Sequence, residues 1–245
     1  MSGVRCEVES AGTRLLVRVV GRLSLASVPE VRATLLKCLT ERPDAVVVDL
    51  GRATVVDPPA ATVFLAASRQ ASLWPGTPLL IVAPDPRMAQ LLHVSYGQVA
   101  VVATVEEALA VEPHRHMPSI SEVLLPVSGA ARRARDLATE ACLRWSLDHL
   151  TARASLITAE LVTNAVVHAN TMIDLRLTQG RRYLMVAVRD GSGEPPVLPP
   201  GGSLDPGAPR GLLLVDATAL RWGTLPALGG KVVWAALRLR DDPAA

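Results

Sequence analysis

Hydrophobic periodicity changes character once along this chain, and the change falls at VEPHRHMPSIS, residues 111–121. That stretch carries two prolines among polar residues and has neither a helical nor a strand period, so it reads as a linker. The chain has 245 residues, enough for two units of about 100–130 residues that each bury a core. We therefore expect residues 1–112 and 122–245 to fold as two domains joined by 113–121. His114 and His116 lie in the linker without further His, Cys or acid at ligand spacing, which favours a solvated segment over a metal site.

Before the linker, strands and helices alternate. RLLVRVVGRL (14–23) runs apolar or alternating, as a strand does. SVPEVRATLLKCLTE (27–41) opens with Ser27 as an N-cap and Pro29 in the first turn, then repeats apolar residues at helical spacing. AVVVDL (45–50) is a continuous run of the kind found in strands buried on both faces. A helix over 58–73, a strand LLIVAP (79–84), a helix from Pro86, a strand VAVVAT (99–104) and a short helix at 105–111 follow. This order predicts an α/β domain with a largely parallel sheet.

After the linker the order is different. Helices are predicted at 128–146 and around TAELVTNAVVHAN (158–170). IDLRLTQ (173–179) and YLMVAVRD (183–190), with a Gly-Arg turn between, read as an antiparallel hairpin. A Gly/Pro-rich stretch fills 191–210, a short helix GLLLVDATAL spans 211–220, and KVVWAALRL (231–239) makes a last strand. Helices first and antiparallel strands after predict an α+β two-layer sandwich.

Composition narrows the function classes. Hydrophobic residues make up 49% and aromatics 3%, so the cores must be built from Ala, Val and Leu. A net charge of +2 is too mild to imply a nucleic-acid partner. Only Lys37 and Lys231 are lysines among the 25 basic residues, a bias that needs no phosphate-binding surface to explain it. Cys6, Cys38 and Cys142 are scattered and unpaired in pattern, as reduced thiols of a cytoplasmic protein are. No apolar leader and no run of 18 apolar residues is present, so no membrane partner is expected.

Three stretches of the second half carry candidate chemistry. In the first, Glu160, Asn164 and His168 fall at i, i+4 and i+8 and share one helical face. An Asn oxygen suits magnesium, which takes few protein ligands beside substrate phosphates, and a Glu one turn away can act as general base toward a hydroxyl. The second is VRDGSGEPP, where a strand ends in Asp190 followed by Gly191, Ser192 and Gly193. A carboxylate there can accept a hydrogen bond from an exocyclic amine. The third is GAPRGLLLV, where Gly207 and Gly211 lead into a helix whose N–H groups and dipole suit a phosphate. Singly, each has an ordinary explanation in a turn or a solvated helix face; their order along the chain is what points to a site.

ELVTNAVVHA resembles the N-box of the histidine-kinase-like ATPase superfamily, and DGSG resembles its next nucleotide-binding box. PRGLLLVDATALRWG followed by GGKVVWAAL is similar to the final box and closing strand of the small serine-kinase anti-sigma factors. The resemblance covers about residues 122–240. It implies ATP and Mg2+ as cofactors, Asn164 holding the metal, Glu160 as base and Asp190 on the adenine amine. Gly191, Gly193, Arg210 and Gly211 complete the implied nucleotide-binding set, and 194–210 would be a lid over the phosphates. The final box departs from the family's Gly-Arg-Gly by reading Pro209-Arg210-Gly211, which removes one backbone donor. His168 reads as a helix-packing residue or one that supports the site from behind, rather than a catalytic one, and Trp222 and Trp234 as core. Arg132, Arg133 and Arg135 read as a solvated face before a partner patch.

Residues 7–112 resemble the small STAS domain shared by sulfate transporters and anti-sigma factor antagonists, through VVVDL, GRATVVDPPAATVFLAA and LLIVAP. In the antagonists an Asp-Ser-Ser or Asp-Ser-Thr stretch opens the helix, and one hydroxyl there is phosphorylated by the partner kinase. Here the stretch is Asp57-Pro58-Pro59-Ala60, so the switch-equivalent positions Pro58 and Pro59 cannot take a phosphate. Thr54 and Thr62 are nearby hydroxyls at other positions.

The two resemblances together imply a serine/threonine protein kinase that regulates a sigma factor by partner switching. Its partners would be a sigma factor, a separate antagonist, or both, and homodimerisation is common in such kinases. The fused first domain would dock or autoregulate. The alternative is a scaffold that senses nucleotide without transferring phosphate.

Overall fold

The computed structural model describes residues 3–96, 100–112, 117–196 and 211–240, with the side chains of 93–96 left aside. The chain divides into two compact units, Met1–His116 and Met117–Ala245.

The first unit is a five-stranded sheet in the order β1 (Arg5–Ala11), β2 (Arg14–Leu23), β3 (Val46–Val55), β4 (Leu79–Val82), β5 (Ala100–Val102). β1 and β2 form an antiparallel hairpin; every later pairing is parallel. The helices are α1 (Val28–Thr40), α2 (Thr62–Leu73), α3 (Pro86–Tyr96) and α4 (Val105–Ala110). Leu16, Val47, Leu80 and Val82 meet Ala108, Val105 and Leu109 of α4 on one face. On the other, α1 lies against β2 and β3 and α2 against β4. Alternate strand residues such as Val46, Val48 and Ile81 are fully buried there, as are Val31, Leu35 and Leu39 of α1 and Phe64 of α2. The continuous apolar run at 45–50 is thus explained by burial on both sides.

The second unit is an antiparallel sheet in the order β6 (Ser119–Leu124), β7 (Ile173–Gln179), β8 (Tyr183–Asp190), β10 (Gly230–Arg238), β9 (Arg221–Ala227). Its helices are α5 (Ala130–Arg144), α6 (Thr151–His168) and α7 (Gly211–Thr218). They share one core with the sheet. Leu137 and Ala141 of α5, Ile157, Leu161 and Ala165 of α6, and Val215 of α7 pack with Leu175, Val186, Val188, Val233 and Ala235.

Three strands depart from the expected layout. β1, β6 and β9 were not expected, and each lies at a sheet edge. The predicted linker 113–121 overlaps β6 from Ser119 onward, and 113–116, with His114 and His116, lies outside the described residues. An edge strand packs only one face, so SISEVL alternates weakly and its prolines end just before it. β9 tolerates Pro226 because an edge strand can spare a donor. The helix expected at 58–73 begins instead as a 3-10 turn at Pro58–Ala61, and α6 starts at Thr151, about two turns before Thr158. Of the tryptophans, Trp234 is buried, while Trp222 packs at the core's margin and donates from Nε1 to Asp216 at 2.8 Å. Arg133 grips Glu122 of β6 through Nε and Nη2 at 2.8 and 2.5 Å, which makes it a tie between α5 and the edge strand. That pairing holds the Glu122 carboxyl below its usual range.

Cys6, Cys38 and Cys142 are free thiols. Burial raises all three above the ordinary thiol value, Cys38 to about 11. Because the thiolate is the reactive form, Cys38 and Cys142 should resist a thiol-specific chromogenic reagent near neutral pH and react on addition of denaturant. Prompt labelling of the native protein at either residue would contradict that burial.

Candidate functional site

The candidate site of the second unit is arranged along α6. Glu160 and Asn164 are half-buried, while His168 is exposed at the helix's last residue, so of the two roles read for it from the sequence the packing one is not what the structure gives. Glu160 is one turn before Asn164, and its carboxylate meets the start of α7. A Cβ placed on Gly211 would lie 2.5 Å from Glu160 Oε2. The sequence-predicted Glu160 and Gly211 are therefore brought together, and the glycine is what lets the helix start approach the acid.

Past the C-terminus of α6, Thr171 Oγ1 accepts from Gly191 N at 2.8 Å. This pins the DGSG turn to the segment just past the C-terminus of the same helix. The rise from Glu160 to His168 is about 12 Å at 1.5 Å per residue. The middle of α6 thus presents an acid beside the start of α7, and the segment past its C-terminus anchors a glycine turn.

Asp190 is the last residue of β8, and its side chain has no exposed surface. Its Oδ1 accepts from Ser192 N at 2.8 Å and from Lys231 Nζ at 2.9 Å. Among the described residues its Oδ2 is buried and has no hydrogen-bond partner. Lys231 stands opposite Asp190 in the β8–β10 register and also donates to Ser192 O at 3.3 Å. Such an oxygen is costly to bury unpaired and can accept one further hydrogen bond.

Other expected site residues are placed less tellingly. Gly193 is exposed, and a Cβ there would meet nothing within 4 Å, so no close approach by the chain itself requires glycine. Pro209, Arg210, Gly207 and most of the expected lid lie outside the described residues. Among the described residues no group of three or more His, Cys, Asp or Glu side chains could hold a metal. A magnesium ion carried on substrate phosphates needs no such group. Sequence reasoning missed Lys231 and Thr171. The available signal for Lys231 was a lysine, one of two in the chain, set at the head of the apolar run VVWAAL.

In the first unit, Asp57 precedes the 3-10 turn that Pro58 opens. Its Oδ2 accepts from Leu25 N at 3.0 Å, which ties the turn after β2 to the turn after β3. Pro58 and Pro59 are exposed. Thr62 is committed to the turn, donating to Pro59 O at 2.7 Å, and Thr54 is exposed within β3. Asp57 thus acts as a brace between the two turns, and the two positions after it carry no hydroxyl.

The family model described as "Mlab, STAS domain" matches residues 6–96. The first unit is a STAS domain. Similar solved structures include the anti-sigma factor antagonist SpoIIAA in its unphosphorylated form, 16% identical, covering 43% of this chain and 94% of that one with a TM-score of 0.36. An anti-sigma factor antagonist from Mycobacterium paratuberculosis is 18% identical, covering 44% and 92% with a TM-score of 0.37. A variant of RsbS from Moorella thermoacetica is 23% identical, covering 43% and 92% with a TM-score of 0.37. No curated protein matches the chain significantly. Among the described residues no helix is long and apolar enough to cross a membrane.

Proposed function

We propose that the second unit binds ATP with magnesium and acts as a serine/threonine protein kinase in partner switching, with the STAS domain as its docking or autoregulatory module. The observation that carries this reading is Asp190 Oδ2 at the end of β8, a buried acceptor without a donor among the described residues. In the reading, the adenine amine donates to that oxygen, and the triphosphate runs along α6 toward Asn164, Glu160 and the start of α7. Asn164, with Arg210 and Gly211, would hold the phosphates and their magnesium, which supplies charge neutralisation on the transferred group. Glu160 would take the proton of the acceptor hydroxyl. That hydroxyl belongs to another protein, a separate antagonist or a sigma factor regulator, because Pro58 and Pro59 offer none in this chain.

Calorimetric titration with ATP tests the reading. Binding should depend on magnesium and be lost in Asn164→Ala. Glu160→Ala should lower phosphoryl transfer by roughly 100- to 10,000-fold. Gly211→Ala should hardly move the melting temperature, since the added methyl displaces only the flexible end of Glu160, yet transfer should fall. No magnesium-dependent heat from the wild type would refute nucleotide binding.

A second reading, a nucleotide-sensing scaffold, is favoured by the same proximity: Glu160 Oε2 lies against the start of α7, where a Cβ on Gly211 would be 2.5 Å from it. Under it, ATP still binds and Glu160→Ala leaves both binding and partner recognition unchanged.

A further inference from the structure

The nucleotide reading leaves Lys231 without a task. Its side chain is only 4% exposed, and that of Asp190 is fully buried, so the pair is a desolvated ion pair at one end of the sheet. A buried carboxylate alone is a cation site, and it would draw magnesium, an arginine or a ligand ammonium into the place of a base. With an ammonium on Oδ1 at 2.9 Å the pair is formally neutral, and what remains is one lone acceptor, Oδ2. A neutral N–H donor suits that oxygen; a second cation does not.

The aim of the oxygen is also fixed. Oδ1 is held from two sides, by Lys231 Nζ and by Ser192 N, so the carboxylate plane cannot swing. Lys231 is itself held by Ser192 O within the same turn. The side chain therefore sets both the charge and the direction of the acceptor that the base would meet.

We infer that Lys231 is a positioning residue for base recognition, which turns Asp190 into a single neutral acceptor selective for an exocyclic amino group. This rests on the nucleotide reading above. It predicts that ATP binds roughly ten- to a hundredfold more tightly than purine riboside triphosphate, which differs only in lacking the 6-amino group and would leave Oδ2 unpaired.

The chain's two lysines make a direct test possible on the wild-type protein. With lysine side-chain nitrogens labelled by 15N, the buried Lys231 ammonium should give a resonance that moves on addition of magnesium and ATP. It should move less at saturation with the 6-hydrogen analogue, and Lys37 should stay still. As a second measurement, Lys231→Gln should bind the two nucleotides within about twofold of each other. A lysine that merely held the fold together would weaken both and keep their ratio.

If both nucleotides bind with a clear preference for ATP while the Lys231 signal stays still and the variant keeps that preference, the inference is overturned and the nucleotide reading stands. Equal binding of the two by the wild type overturns the inference in the same way. If neither binds, the nucleotide reading fails and takes the inference with it.

Discussion

Replacing Lys231 by methionine should destabilise the second unit by about 3–5 kcal/mol, because it strands a buried carboxylate without its counter-ion. For a unit of this size that corresponds to a fall in melting temperature of roughly 10–20 °C. The magnitude follows from burial. An exposed pair of the same geometry would be worth well under that, as many surface ion pairs contribute about 0–1 kcal/mol. Here neither side chain sees solvent to any extent, with 4% of Lys231 and none of Asp190 exposed. The double variant Lys231→Met with Asp190→Leu should recover most of the loss, since replacing both members of a buried pair by apolar groups is commonly neutral or better. A double-mutant cycle with melting as readout separates the two cases. If Lys231→Met melts within a degree or two of the wild type, the ion pair is not desolvated as the structure has it. The double variant would also separate stability from ligand use: it should fold, and it should no longer distinguish ATP from its 6-hydrogen analogue.

What the sequence displayed of this molecule was set by how strongly each element is buried. The run at 45–50 was legible because β3 is covered on both faces, and α6 was legible because its polar stripe at Glu160 and Asn164 interrupts an otherwise apolar helix. The edge strands were not. β1 is mostly exposed and alternates charged residues, and β9 contains a glycine and a proline that normally mark turns. At the site, the pairs Glu160–Gly211 and Thr171–Gly191 join residues 51 and 20 positions apart, by subtraction of their numbers. No local pattern encodes such pairings. Lys231 was hidden for another reason: lysine is ordinarily a solvated residue, so a single-sequence reading counts its charge and passes on. Its setting between two glycines and a run of buried residues was the sign that this one had to be paired.

The adjacent glycines before that lysine carry the second large effect, and they differ in what they do. Gly229 has φ +72 and nothing within 4 Å of where a Cβ would be, so it serves the turn between β9 and β10. Alanine there should cost about 1–2 kcal/mol for the left-handed backbone and little else. Gly230 has an ordinary φ but no room. A Cβ on it would overlap the carbonyl oxygen of Asp190 and lie 2.8 Å from Gly191 Cα. Both obstacles are backbone, so neither can turn aside; the end of β10 must move away from β8. Gly230→Ala should therefore cost more than Gly229→Ala, on the order of 3 kcal/mol or more, as overpacking against fixed atoms does. It should also disturb function at a distance from any ligand contact of its own. Displacing the Asp190–Gly191 peptide breaks the register that sets Lys231 opposite Asp190 and pulls Gly191 from Thr171. On the nucleotide reading, affinity should fall in Gly230→Ala even at temperatures where the variant is folded, while Gly229→Ala keeps wild-type affinity. Thermal melting and ATP titration of the two variants side by side decide it. Equal, small losses would mean that the strand end absorbs a methyl group and that this contact does not hold the Asp190 turn in place.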